Sequence, residues 1–331
     1  MTSIQQGIID FKRVWFNNDP TLLLRTSGST GVPKTIRVHK KHMVASAHRT
    51  CETLGIEPGA TTLLCMPVAY IAGRMVCVRA WECGLRLIAV EPSLHPLSAL
   101  TAPPDFAAMT PAQVYETLQV PREAELLRRI RFLLIGGGAI GVPMAKALQT
   151  FEGAWSTYGM TETLSHIALR RLSEREEAYQ PLKGVSLQLD ERGCLVVTDP
   201  IVGVANLVTN DLAELLPNGR FRLKGRADNT ICSGGLKWQI EALENLLATL
   251  PVPFQITAVP DEQLGEAIVL IYARPQNQTF TELSLREACV KLLPRHALPR
   301  YYICLSQIPQ TPTGKPDRAS ARRLAKECLM P

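Results

Sequence analysis

The sequence predicts an α/β protein: a large domain of mostly parallel sheets with helices, an antiparallel β subdomain within it, and a small C-terminal α+β domain. Three observations predict it. Apolar stretches at 62–66, 85–90, 105–109 and 131–135 alternate with helical segments at 72–83, 111–119, 122–129 and 143–149, and strand–helix alternation builds a parallel sheet covered by helices. From 183 to 224 the pattern shifts to short runs separated by turn residues, which reads as hairpins. After Gly225-Arg226-Ala227-Asp228 a shorter α/β pattern follows, so the expected boundary divides residues 1–227 from 228–331.

Composition narrows the class. A chain of 331 residues with 46% apolar and 20% charged residues has the make-up of a globular protein of about two domains. The net charge of +6 favours anionic ligands. No basic run is interleaved with aromatics, which argues against a nucleic-acid surface. The nine cysteines are scattered without a CxxC pair and read as reduced, mostly buried thiols in a cytoplasm. Asp10, Lys12, Arg13, Asp19 and Pro20 exclude a signal peptide in the first twenty residues. No apolar run approaches the ~20 residues that cross a bilayer, so no membrane insertion is expected.

Taken in order, residues 1–20 form a partly helical lead-in, and Leu22-Leu23-Leu24 then feeds the stretch Thr26–Lys34, TSGSTGVPK. Gly28 and Gly31 permit tight turns that bring backbone N–H groups close to an anion. Thr26, Ser27, Ser29 and Thr30 add hydroxyls, and Lys34 adds a positive charge. Pro33 before Lys34 departs from the P-loop pattern, so the residues alone fit either a phosphate-wrapping loop or a flexible surface loop. Thr35–Val38 reads as a returning strand, the pair of strands holding the loop at one edge of a sheet. A helix over His39–Leu54 then stops at Gly55 and Pro58. Two glycine-containing runs sit at strand ends, where ligands of parallel sheets bind: Gly136-Gly137-Gly138 after 131–135, and Tyr158–Thr163 after the strand at 154–157. Val185–Leu189 pairs with Cys194–Thr198, and Leu212–Leu216 with Phe221–Leu223, leaving Asp211 at a hairpin edge. The C-terminal part predicts a helix at 239–248, strands at 254–258 and 267–273, a helix at 282–293 and a last helix from about 317.

TSGSTGVPK resembles the signature loop of the adenylate-forming superfamily, which includes acyl-CoA synthetases, peptide-synthetase adenylation domains and luciferases. Four further stretches match in order: YGMTET (158–163), TND (209–211), GRADNTICSGGLKW (225–238) and PQTPTGKPDR (309–318). The resemblance implies that the 26–34 loop holds ATP phosphates and that Gly137 and Gly138 approach the nucleotide while Gly136 lines the acyl pocket. It implies that Tyr158, with Gly159, packs along the adenine, that Thr161 touches the α-phosphate, and that Glu162 binds Mg2+. Asp211 and Arg226 would hold the ribose, although Asn210 stands where the family usually has Gly. Asp228 would be the hinge of a mobile C-terminal domain. Lys315 would serve adenylation, while Ser233, Gly234, Gly235 and Lys237 would enter for thioester formation. The implied partners are ATP, coenzyme A and a small carboxylic acid.

The short region before the loop and the stretch Met66–Arg79 resemble the o-succinylbenzoate–CoA ligase subgroup of menaquinone synthesis. Tyr70 stands where many synthetases have His, and is a candidate for the acid's pocket. That subgroup's substrate keeps a second carboxylate, for which Arg74 is the candidate cation. Other readings are a ligase for a different aryl or short acyl acid, a carrier-protein loader, and a degenerate nucleotide-binding protein. A second copy of the chain, in a homo-oligomer, could cover the flank left by the short N-terminal region.

Overall fold

A capping box between Thr2 and Gln5 starts helix α1 (Ser3–Trp15), which buries Ile4, Phe11 and Trp15. The lead-in is therefore a full helix. The computed structural model describes residues 2–25, 35–174, 176–273, 281–311 and 316–329. Strands β1 (Thr21–Arg25) and β2 (Thr35–His39) pair antiparallel as a two-stranded ribbon of their own, not as the edge of a larger sheet. Leu22 and Leu24 of β1, with Ile36 and Val38 of β2, pack on the main core, so the ribbon is held by one apolar face. Its chain leaves at once into α2 (Lys40–Leu54), which Gly55 ends in the left-handed conformation (φ 70°) that a side chain disfavours.

The alternating region folds as β3 (Thr61–Leu64), α3 (Ile71–Glu82), β4 (Arg86–Ala89), β5 (Phe106–Met109), α4 (Pro111–Gln119), α5 (Pro121–Arg128), β6 (Phe132–Ile135), α6 (Val142–Leu148) and β7 (Ala154–Gly159). These strands run parallel, and β8 (His166–Arg171) and β9 (Gln180–Pro181) extend the sheet antiparallel, giving the seven-stranded order β4-β3-β5-β6-β7-β8-β9. The sequence reading had no strand at 166–171. HIALRR is short, and its pairing depends on a tight turn at Thr163–Ser165, with Leu164 at φ 64°. The order reverses between β3 and β5, so a crevice opens there at the carboxyl ends of the strands.

Next, β10 (Ser186–Leu189), β11 (Cys194–Asp199), β12 (Val204–Leu215) and β13 (Phe221–Arg226) form the expected antiparallel sheet. It is tied to α2 by a buried ion pair: Arg49 donates from Nη1 to Asp199 Oδ1 at 2.9 Å and from Nη2 to Oδ2 at 2.7 Å. The two side chains are only 6% and 0% exposed. Asp199→Ala would strand a charged guanidinium in the core. It is expected to cost about 3–5 kcal/mol, read as a fall in the urea midpoint, and Arg49→Met added to it should recover most of the loss.

A single 3-10 turn, Ala227–Asn229, separates β13 from the C-terminal sheet. That part contains β14 (Thr230–Ser233), β15 (Leu236–Gln239), α7 (Ile240–Leu246), β16 (Phe254–Asp261), β17 (Gly265–Ala273), α8 (Glu282–Leu292), β18 (Tyr301–Leu305) and α9 (Arg318–Leu329). Its five-stranded sheet has the order β15-β14-β17-β16, with β18 parallel to β17. The β14–β15 hairpin and β18 were not anticipated. Gly234 and Gly235, both at positive φ, close the hairpin. Two apolar clusters, one on each face, give this part its own core.

Among the described residues no helix is long and apolar enough to cross a membrane.

Candidate active site

A cleft of about 910 Å3 opens where the parallel strands end. Cys65 and Met66 beyond β3, Met109 and Thr110 at the end of β5, Gly136 beyond β6 and Gly159 at the end of β7 all line it. Backbone approach needs the glycines. A Cβ on Gly136 would lie 2.1 Å from Thr157 Oγ1, and one on Gly159 would lie 2.3 Å from Ser165 O. Gly137 has φ 83°. Gly136, Gly137, Gly138, Gly159 and Thr161 all line the cleft. Gly159→Ala must displace the backbone at Ser165. It is expected to destabilise the fold by roughly 1–3 kcal/mol, seen as a lower Tm.

Helix α3 forms one wall. Tyr70, at its N-cap, lines the cleft together with Ile71, Met75 and Arg79. Those helical positions recur every four residues, so they share one stripe. Arg74 falls outside it, which corrects its assignment to the acid pocket. Its Nε donates to Val68 O at 3.0 Å, its Nη1 donates to Leu23 O at 2.8 Å, and its guanidinium lies over the Phe11 ring. It pins α1 and β1 to α3 instead.

Arg79 is the residue that sequence reading missed. It is 2% exposed, yet it lines the cleft. Nη2 donates to Ser165 Oγ at 2.7 Å, while the buried Nε has no partner among the described residues. It forms no ion pair with a carboxylate among the described residues, and burial pushes its guanidinium down to about 10, still charged at neutral pH. Ser165 Oγ also lies 3.2 Å from Nδ1 of the buried His166. Burial, with the charges of Arg79 and Arg49, holds His166 well below its usual range and so neutral. The floor of an apolar cleft thus carries one desolvated positive charge. An arginine between the apolar residues Val76-Cys77-Val78 and Ala80-Trp81 was the available signal.

A second polar chain stands beside Gly159. Tyr158 Oη donates to Asp211 Oδ2 at 2.7 Å, and Arg226 Nη1 donates to Asp211 Oδ1 at 3.1 Å. Arg226 also grips Asp228 with two bonds, from Nε at 2.9 Å and from Nη2 at 2.7 Å. Burial, then the Asp211 charge, raises Tyr158 above the usual phenol range and keeps it a donor. Burial works against the Asp228 carboxylate, but Arg226 outweighs it and holds the group below the usual range. Asn210 joins through a long 3.5 Å contact to Asp228. Tyr158, Asp211, Arg226 and Asp228 are therefore brought together, with Tyr158 packed on Tyr179 and Phe221.

Glu162 is exposed next to the cleft-lining Thr161. No group of three His, Cys, Asp or Glu side chains able to hold a metal occurs among the described residues. One accessible carboxylate suits Mg2+ that arrives with a nucleotide and keeps phosphate and water oxygens.

From the C-terminal part, Glu241, Glu244, Pro316 and Arg318 line the cleft. Arg318 forks onto Glu244, joining the start of α9 to α7. Ser233, Gly234, Gly235 and Lys237 belong to the β14–β15 hairpin and do not line the cleft. Thr26, Ser27, Gly28, Ser29, Thr30, Gly31, Lys34 and Lys315 lie outside the described residues.

The AMP-binding enzyme family matches residues 12–199. A probable 2-succinylbenzoate–CoA ligase of Mycobacterium tuberculosis is 28% identical over 94% of this chain and 86% of its own length. A 2-succinylbenzoate–CoA ligase of Salmonella typhimurium is 26% identical over 81% of this chain, which spans only 61% of that protein. The crystal structure of an acyl-CoA synthetase (AMP-forming)/AMP-acid ligase II-like protein from Dyadobacter fermentans matches with 31% identity, a TM-score of 0.63, and 96% and 93% of the two chains. The o-succinylbenzoate CoA synthetase of Bacillus subtilis, bound to its acyl-adenylate, shares the fold at 21% identity and a TM-score of 0.77 over 90% of this chain and 68% of its own. With more than half of its length matched, the chain belongs to the AMP-binding enzyme family.

Proposed function

We propose that the protein is a cytoplasmic, ATP-dependent acid–CoA ligase that activates a dicarboxylate, o-succinylbenzoate, for menaquinone synthesis. The observation that carries the choice of acid is Arg79: a buried cation without a carboxylate partner, paired with Ser165 at the floor of an apolar cleft. A monocarboxylate would leave that charge desolvated and unmatched, whereas the second carboxylate of a diacid would neutralise it. The names of the Mycobacterium and Salmonella relatives support the same substrate.

A carboxylate resists thioester formation because it repels nucleophiles and has no good leaving group. In the first step the acid's oxygen attacks the α-phosphate of ATP and pyrophosphate departs. The 26–34 loop, Thr161 and Lys315 would offset the charge on the phosphates. Tyr158, Asp211 and Arg226 would hold the nucleoside, with Gly136, Gly137 and Gly138 admitting the adenylate by backbone approach. Glu162 would hold Mg2+, which supplies further positive charge to the phosphates when bound. In the second step the thiol of coenzyme A attacks the acyl carbon and AMP leaves. A turn about Asp228 would exchange the Pro316 side of the C-terminal domain for the Gly234–Gly235 hairpin and Lys237. Asp228 suits a hinge because Arg226, its clamp, sits on the far side of the 3-10 turn from β14.

The test is ATP- and coenzyme-A-dependent AMP release with o-succinylbenzoate beside benzoate, hexanoate and phenylacetate. A strong preference for o-succinylbenzoate is expected. Activity confined to monocarboxylates would overturn the substrate and keep the chemistry. ATP binding without AMP release from any acid would overturn both.

A further inference from the structure

Outside the cleft, two cysteines from different helices meet. Cys51 lies in the last turns of α2 and Cys83 caps the C-terminal end of α3, and both belong to one small apolar cluster with Ala80 and Leu85. Cys51 is buried, whereas Cys83 is partly exposed. On its outer side, Cys83 Sγ lies 3.8 Å from Nδ1 of His48, one turn before Cys51 on α2. On its inner side, Cys83 packs against the buried cluster that contains Cys51. Cys51 shares a helix face with His48 one turn away and is poised to donate toward the Cys83 sulfur. A sulfur within reach of solvent, a base and a second thiol is an arrangement that a merely packed cysteine does not need.

We propose that Cys83 and Cys51 form a peroxide-reactive dithiol, with Cys83 as the attacking sulfur, His48 as its proton acceptor and Cys51 as the resolving thiol. The Cys83 thiolate attacks a peroxide oxygen. The S–O bond forms as the O–O bond breaks, and the departing oxygen takes a proton to leave as water or an alcohol. Cys51 then attacks the sulfur of the resulting sulfenic acid. An S–S bond forms, the S–O bond breaks, and hydroxide leaves with the Cys51 proton as water. Two thiols are oxidised by two electrons, and one peroxide is reduced.

The electrostatics agree with these roles. Donation from Cys51, helped by the charge of Arg79, holds the Cys83 thiol below its usual range. The same interaction, with burial, pushes Cys51 up, so it remains a thiol until it resolves. The disulfide would tie the end of α3 to α2, four residues beyond Arg79, and so would fix the helix that walls the cleft.

The experiment treats the full chain with hydrogen peroxide, alkylates the remaining thiols under denaturing conditions without reductant, and maps the peptides by mass. A Cys51–Cys83 cross-linked peptide is expected, forming about tenfold faster than oxidation of the exposed Cys232, Cys304 or Cys328. In Cys51→Ser, dimedone should label Cys83 as its sulfenic acid. Alkylation of intact Cys83 after the exposed cysteines have oxidised would overturn the proposal. So would dimedone labelling of those cysteines without Cys83 in the variant. Neither readout depends on the acid that the protein activates.

Discussion

Replacing Arg79 with Met is expected to lower kcat/KM for o-succinylbenzoate by roughly 30-fold or more, the loss that follows when one partner of a buried charge pair worth about 2 kcal/mol or more is removed. The magnitude follows from burial. Arg79 is 2% exposed and keeps its charge in a low-dielectric floor, so a carboxylate that reaches it meets little screening. Met keeps the aliphatic stem and gives up the guanidinium, which lies 5.8 Å from the centre of the Phe106 ring. The comparison that decides the role is with hexanoate. An apolar acid needs no cation, so its turnover should hold or improve in the variant. Equal losses for both acids, with an unchanged Tm, would make Arg79 a general element of the cleft and remove its claim on the second carboxylate. Arg74→Met serves as the contrast. Its contacts with Val68 O, Leu23 O and Phe11 lie away from the cleft, so it should reduce stability without changing the preference between acids.

Lys315→Ala is expected to reduce acid-dependent ATP–pyrophosphate exchange by about 10^2 to 10^3, the usual cost of removing one preorganised group that meets developing charge. The lysine lies outside the described residues, and the expectation rests on its place in the PTGKPDR stretch and on its neighbours. Pro316 and Arg318 line the cleft, and Arg318 is anchored to Glu244. The two half-reactions should respond differently. Thioester formation from added acyl-adenylate and coenzyme A should stay near the wild-type rate, because that step needs the hairpin of Gly234, Gly235 and Lys237. Lys237→Ala should show the reverse pattern, with exchange preserved and thioester formation slowed. Exchange at the wild-type rate in Lys315→Ala would take the lysine out of the mechanism. Loss of both steps in both variants would argue against an alternation about Asp228.

Much of the architecture was legible in the sequence because the signals are local. The strands expected at 105–109 and 131–135 appear as Phe106–Met109 and Phe132–Ile135, and the helix expected at 111–119 is Pro111–Gln119. Thr110, Pro111 and Gln113 start that helix by capping chemistry that spans only a turn. Gly55 stops another by its backbone freedom. The glycines at 136, 137 and 138 announced a ligand-facing strand end, and they line the cleft. What failed was weak or non-local. The short strand His166–Arg171 depends on a turn at a residue with positive φ, and Tyr301–Leu305 needs β17 as its partner.

The family, the order of the elements and the residue types available to the site are readable along the chain, because periodicity, turn chemistry and motif spacing act over a few residues. Which arginine faces the cleft depends on packing between distant segments. Arg74 and Arg79 lie on the same helix, and their difference in direction has meaning only once α1 and the strand ends stand on opposite sides of it. The same holds for Arg49 with Asp199, 150 positions apart, and for Tyr158 with Asp211, 53 positions apart. A buried polar group takes its role from the partner that replaces water, and that partner is chosen by packing.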